Sequence, residues 1–335
     1  MISFFCAAWR RAAKRASPQS LIPRNMVPRR MVPQRRRVSM QLEIKNLTGS
    51  YGRRTVLHAV NLTLHPGVYG LLGPNGSGKT TLLRLITGLL EAPDGSVLFD
   101  GRPRSAWKNR EPMIGYLPQK FGLLKELSVY QQMLYFACLK QLPAESRKQE
   151  IETAIQSVSL TDRIRERCGR LSGGMIRRLG IAQAILGQPD LILFDEPTAG
   201  LDPEERLRFK SVLNLLGHRC PVVLATHIVE DVESACDQVI VLSNGRFCFD
   251  GSRAGLARLA AGRVYELPAD QLDQIKLDKT VISYFDDPAW GKQVRILLTG
   301  TGGSVPDPDS IPRAARRCEP GAADGYLYAV KRLAD

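Results

Sequence analysis

Several things are scarce in this 335-residue chain, and each scarcity excludes a class. No run approaches the ~18 consecutive apolar residues that a membrane-crossing helix needs, and the most apolar stretches, residues 191–194 and 222–225, are strand-sized. Such a chain is expected not to cross a bilayer by itself. The seven cysteines (Cys6, Cys138, Cys168, Cys220, Cys236, Cys248, Cys318) are odd in number, scattered, and never spaced Cys-x-x-Cys. A disulfide framework or a zinc ribbon needs pairs at short spacing, so reduced thiols within cores are expected instead. With four histidines, a metal cluster is not expected either. No internal repeat is present.

Acid is missing from one place in particular. Residues 1–40 hold ten Lys or Arg and no Asp or Glu. Setting those ten aside from the chain's 47 basic residues leaves 37 against 33 acidic ones, so the formal charge of +14 falls to +4 beyond the tail. A basic, proline-dotted tail suits contact with RNA, DNA or anionic lipid, or a targeting peptide. The plainer reading is an unstructured extension, or an upstream start codon, because Met40 directly precedes the first strand-like run. The remaining composition, 44% hydrophobic and 24% charged, excludes global disorder and a fibrous repeat. The length suits two or three structural units.

Patterning then orders the chain. Residues 42–47 alternate as a half-buried strand does, 49–52 reads as a turn, and strands follow at 60–64 and 67–72. A helix is predicted over 79–90, a turn at 93–95, a strand at 96–100, and a helical region over 129–168 with Leu134, Cys138 and Leu142 as its stripe. From residue 191, strands and helices alternate (191–194, 204–216, 222–225, 228–235, 239–242), which implies a mostly parallel sheet with helices packed on it. Strands at 264–267, 281–285 and 294–298, a loop over 300–312 and a helix at 324–333 form a small accessory α+β unit.

The chemistry lies at three places. Gly73, Pro74, Asn75, Gly76, Ser77, Gly78, Lys79 and Thr80 fit G-x-x-x-x-G-K-[ST] between a strand and a helix. Glycines let successive N–H groups converge on phosphate oxygens, Lys79 neutralises the β/γ-phosphates, and Thr80 offers a hydroxyl to Mg²⁺, so ATP or GTP is expected here. The strand at 191–194 ends in Asp195 and Glu196, where an open α/β sheet faces its ligand crevice. Asp195 is placed to hold Mg²⁺ and Glu196 to orient or deprotonate an attacking water. Ser172, Gly173 and Gly174 precede a helix at about 176–186, either an ordinary capped helix or a second phosphate cradle. The expected fold class is α/β: a phosphate-loop NTPase core, an N-terminal antiparallel β part, an α-helical subdomain and a small C-terminal α+β extension.

In their order along the chain, residues 73–81, Gln119, 171–175, 191–196, Leu201-Asp202 and His227 make it resemble the ATP-binding subunit of an ABC transporter. The resemblance covers residues ~42–251. Residues 70–76, 199–202 and Tyr326-Leu327-Tyr328 are similar to the bacterial drug- and peptide-export subgroup. The resemblance implies domains at 1–40 (basic extension), 41–251 (ATPase, with the helical subdomain about 120–172) and 252–335 (accessory region). It implies ATP and Mg²⁺ as ligands. It also implies a head-to-tail dimer, of two copies or with a paralogous subunit, in which Ser172, Gly173 and Gly174 of one subunit close over the γ-phosphate held by the other. By the same resemblance Tyr51 stacks on adenine and Thr81 joins the phosphate loop. Gln119 contacts Mg²⁺ or water, Glu196 is the base, Asp202 links the two sites, and His227 holds the γ-phosphate. Met175 departs from the pattern: the family most often has Gln there, and a thioether cannot make the amide's hydrogen bonds.

Two functions are thereby expected to compete. The first is a transport ATPase at the cytoplasmic face of the membrane, leaning to export, working through a separate transmembrane permease subunit docked near Gln119, with no nucleic acid involved. The second is a soluble ABC-type ATPase acting on nucleic acid or ribosomes, suggested by the basic tail.

Overall fold

The N-terminal strands are long because β-branched and leucine residues keep alternating past the run that the sequence marks most clearly. A computed structural model of the chain describes residues 40–103, 106, 112–299 and 311–332; the basic extension, all but the last two residues of the loop expected over 300–312, and the reading of residue 1 or 40 as the start lie outside or at the edge of these. Strand β1 (Leu42–Tyr51) pairs antiparallel with β2 (Arg54–Leu64), with irregularities in register between Ile44 and Ser50. The turn predicted at 49–52 is therefore corrected. Gly49, Ser50 and Tyr51 belong to β1, and the chain reverses at Gly52 and Arg53.

The short apolar β3 (Gly67–Leu72) leads through the glycine loop into α1 (Lys79–Thr87). That helix is three residues shorter than predicted because Gly88, at φ 71°, closes it with a left-handed cap whose N–H reaches the Leu85 carbonyl. β4 (Asp94–Phe99) pairs with β1 and with the two-residue β5 (Arg102–Pro103). Asp94 and Gly95, predicted as a turn, are its first two residues.

β6 (Ile114–Leu117), which the sequence pattern does not mark, precedes the helical region. There α2 (Val129–Leu139) opens with a capping box of Ser128 and Gln131, and α3 (Ala144–Ser157) follows. The buried stripe of α2 is shifted one residue from the predicted one: Met133 and Ala137 are fully buried, while Leu134 and Cys138 are partly exposed. α4 (Gly173–Ile185) starts three residues earlier than predicted, on the Ser172 cap.

Then come β7 (Leu191–Asp195), α5 (Pro203–Gly217), β8 (Pro221–Thr226), α6 (Val229–Ala235), β9 (Gln238–Ser243) and β10 (Arg246–Ser252). Six strands form one sheet in the order β10-β9-β3-β8-β7-β6; all run parallel except β10. Apolar clusters lie on its two faces. One includes Leu72, Phe194, Val222 and the helical region; the other includes Leu71, Leu193, α1 and the antiparallel β2-β1-β4 layer. Alternate residues of each buried strand feed opposite clusters, as a strand covered on both faces requires.

Beyond α7 (Arg253–Arg258), strands β11 (Val264–Pro268), β12 (Lys279–Asp287), β13 (Gly291–Leu298) and β14 (Arg316–Arg317) form an antiparallel sheet with its own small core. The closing helix α8 (Ala322–Arg332) returns to the main body. Leu256, Ala322 and Ala329 all sit in the central cluster, so packing crosses the boundary expected at 251/252. Among the described residues no helix is long and apolar enough to cross a membrane. The six described cysteines are unpaired, and burial pushes the thiols of Cys220 and Cys236 up to about 12.

Candidate nucleotide site

Parallel register brings three strand ends to one edge. Leu72 of β3 lies opposite Thr226 of β8, and Asp195 of β7 lies opposite Ala225. The glycine loop, the acidic pair and His227 therefore emerge side by side, as strand C-termini in an open α/β sheet do. Leu117 of β6 is paired with Phe194, which delivers Pro118 and Gln119 to the same edge.

The loop is held before anything binds to it. Gly73 has the Leu242 carbonyl where a side chain would be, and Gly78 sits at φ 111°, a conformation open to glycine. The Gly245 N–H donates to the Ser77 carbonyl at 3.1 Å, tying the loop to the β9–β10 turn, and the Ser77 N–H donates to Pro74 at 3.2 Å. Lys79 is buried; its Nζ donates to the carbonyls of Gly73 (2.6 Å) and Pro74 (3.1 Å). Burial lowers its pKa, opposed by the charges of Glu196 and Asp195. Thr81 is buried beneath the loop, and Asn75 and Gly76 are exposed at its tip.

Thr80 Oγ1 donates to Asp195 Oδ2 at 2.9 Å, joining the loop to β7 across 115 residues of chain. Burial raises the pKa of Asp195, with the Thr80 hydrogen bond opposing it. Glu196, also buried, adopts φ 53°, a left-handed conformation costly for a residue with a side chain, and more so before proline. Its carboxylate is paired with His227 Nδ1 at 2.9 Å and accepts from Thr226 Oγ1 at 3.4 Å. The His227 side chain is half exposed.

The group of residues fits a nucleotide with a hard cation. Ser77 Oγ is buried without a hydrogen-bond partner, an orphan donor inside a loop whose helix N-terminus favours anions. Among the described residues no group of three or more His, Cys, Asp or Glu could hold a metal. A Thr80–Asp195 pair suits Mg²⁺, which takes few protein ligands and completes its shell with phosphate and water.

The remaining predicted residues face solvent or make their bonds outside this cluster. Tyr51, at the end of β1, is exposed, and its hydroxyl accepts from Arg84 Nη1 at 3.1 Å. The side chain of Gln119 is exposed. Ser172 caps α4, its Oγ accepting from the Met175 N–H at 3.2 Å, and Met175 packs its thioether on the central core. Asp202 caps α5 in a capping box with Glu205, and Glu205 also lies 3.0 Å from Arg178 of α4. A side chain at Gly174 would come within 2.9 Å of the same Glu205 carboxylate. The turn at residues 172–174 and Asp202 are thus built into one exposed α4–α5 corner.

Three residues that the sequence reading missed join the site. Thr226 and Arg84 are named above. The third is Arg177, buried in α4 and bonded to both the acidic pair and the Gln119 segment. Its one sequence signal is a charge four residues before the buried Ile181, on the same helix face.

Comparison with known proteins agrees with this geometry. Residues 57–199 match the ABC transporter family model. The chain is similar to the Nod factor export ATP-binding protein I of Burkholderia lata, 30% identical over 278 residues, which is 78% of this chain and 90% of that protein. It is 33% identical over 245 residues to the probable multidrug ABC transporter ATP-binding protein YbhF of Escherichia coli, spanning 71% of this chain but only 42% of that protein. Among solved structures, an ATP-binding subunit of an ABC transporter matches with a TM-score of 0.59 at 27% identity, over 65% of this chain and 92% of the other.

Proposed function

The chain belongs to the ABC transporter family as an ATP-binding subunit, and on that premise we propose how its residues bind and hydrolyse ATP. The loop N–H groups and Lys79 hold the phosphates, with Tyr51 against the base. Thr80, Asp195 and Gln119 are the residues that would hold Mg²⁺, whose positive charge would offset the charge developing on the transferred phosphoryl group. Glu196 accepts a proton from the attacking water. One nitrogen of His227 already engages Glu196, so the other is the one left for a γ-phosphate oxygen.

A second nucleotide-facing surface comes from another subunit, a copy of this chain or a paralogue, whose Ser172, Gly173 and Gly174 close over the phosphate and whose Asp202 connects the two sites. Closure and reopening of this head-to-tail dimer drive a separate transmembrane permease at the cytoplasmic face of the membrane. Export of a drug, peptide or other small molecule is the direction we infer, since the relatives above are named for Nod factor export and multidrug transport.

The observation that carries this reading is the meeting of Thr80, Asp195, Glu196 and His227 at one sheet edge beside the loop lysine. Glu196→Gln is expected to keep ATP binding, lose hydrolysis by about a hundredfold or more, and accumulate as a dimer in ATP. Hydrolysis at the parental rate would remove Glu196 from the role of base.

A further inference from the structure

One buried cation binds together the three segments that must cooperate. The guanidinium of Arg177 has five N–H donors, and each finds a backbone carbonyl. Nε donates to Pro197 at 3.1 Å, and Nη1 donates to Pro118 (3.2 Å) and Gln119 (3.1 Å). Nη2 donates to Asp195 at 2.7 Å and to Glu196. The side chain is buried, and the charges of Asp195 and Glu196 oppose the cost of that burial.

The placement coincides with backbone strain. Glu196 occupies a left-handed conformation before a proline, a state that persists only where surroundings over-determine it. Its N–H is fixed to the Ala225 carbonyl at 2.8 Å, and its own carbonyl is fixed by Arg177. Without the guanidinium, five carbonyls would lose a charged donor, three of them in buried bonds and two in partly buried ones. Close packing reinforces the connection: a side chain at Gly180 of α4 would run into Leu117 of β6, and one at Gly115 into the Ala184 carbonyl. Helix α4 is thus packed closely against β6, the strand that leads into the Gln119 segment.

We propose that Arg177 is a positioning residue for hydrolysis: it sets the carboxylate of Glu196 at the angle needed for water activation and makes that angle depend on the location of α4 and of Gln119. The inference rests on Glu196 being the base. It gives the α4 helix, whose first turn faces the other subunit's nucleotide in the proposed dimer, a direct mechanical hold on its own subunit's catalytic carboxylate.

The test is a double-mutant cycle. Arg177→Lys, which keeps the charge but has three donors in place of five, is made in the parental chain and in Glu196→Gln. Hydrolysis is measured per ATP-binding site, so that unfolded molecules do not enter the rate. In the parental chain kcat should fall about tenfold to a hundredfold, the scale of a misplaced reacting group, while KM changes less than about twofold. In Glu196→Gln the same change should alter the residual rate by less than about twofold. Equal losses in both backgrounds, or no loss in the parental one, would overturn the proposal. Arg177→Gln runs through the same cycle if Arg177→Lys does not fold, and failure of both to fold assigns Arg177 to stability alone. Glu196→Gln by itself reports separately on the base, so the two readings fail by different signs.

Discussion

Two glycine-rich turns enter helices in this molecule, and they are built to opposite specifications. The loop before α1 is stitched to the β9–β10 turn, holds a buried lysine and an orphan hydroxyl, and faces two buried carboxylates. The turn before α4 is exposed, spends its serine hydroxyl on its own helix cap, and has an ion pair of Arg178 and Glu205 behind it. Chemistry requires buried, pre-set charge; docking requires accessible surface with ready N–H groups. Under the proposed function, the contrast separates a reaction site from half of a contact that another subunit would complete.

The comparison can be broken from either side. The largest expected effect is at the reaction site: Lys79→Ala should cut hydrolysis by about a hundredfold or more and weaken ATP binding, measured by equilibrium titration of the isolated subunit. At the docking turn, Gly174→Ala should leave that titration unchanged and shift stability by about 0.5 kcal/mol or less, because the neighbour at 2.9 Å is the movable end of Glu205. Hydrolysis should nevertheless fall about tenfold, the scale expected from disturbing one anion-facing turn. A Gly174→Ala subunit that loses ATP binding as monomer would erase the distinction between the turns.

The smallest effect is thermal. Asp195 has a raised pKa in the folded chain, so the folded state holds that proton more tightly than the unfolded one does. Its ionisation costs stability progressively as pH rises from the ordinary carboxylate value through the raised one. Asp195→Asn should therefore melt higher at neutral pH, with the gain shrinking as the solution is acidified and Asp195 becomes protonated, even as hydrolysis is lost. A gain that grows on acidification would reverse the sign and remove desolvation as its cause.

The phosphate loop, the acidic pair and the alternation after residue 191 were legible because each couples a side-chain pattern to an apolar run. β6 was not: it is four residues long, contains Gly115, and owes its existence to parallel pairing with β7, 77 residues away. The stripe of α2 slipped by one residue because Leu134 and Met133 are both apolar, and tertiary packing chose between them. Gly49, Ser50 and Tyr51 read as a turn by composition, yet pairing with β2 overrides that tendency. Within the site, Arg177 escaped notice because its five partners are carbonyls, and no arrangement of side chains in the sequence marks a backbone acceptor. Glu205 does not stand out in the sequence, and its attachment to α4 exists only because the two helices meet.

The tether from Gly245 to Ser77, with Gly245 in turn accepting from His58 at 2.9 Å, has an energetic consequence for selectivity. A phosphate-binding backbone that is already rigid consumes little of an incoming nucleotide's affinity in becoming ordered. Triphosphates of any base should gain equally from it. Preference for one base over another must then come from outside the loop, from exposed side chains such as Tyr51 and Arg84, whose rotamers still have freedom to lose.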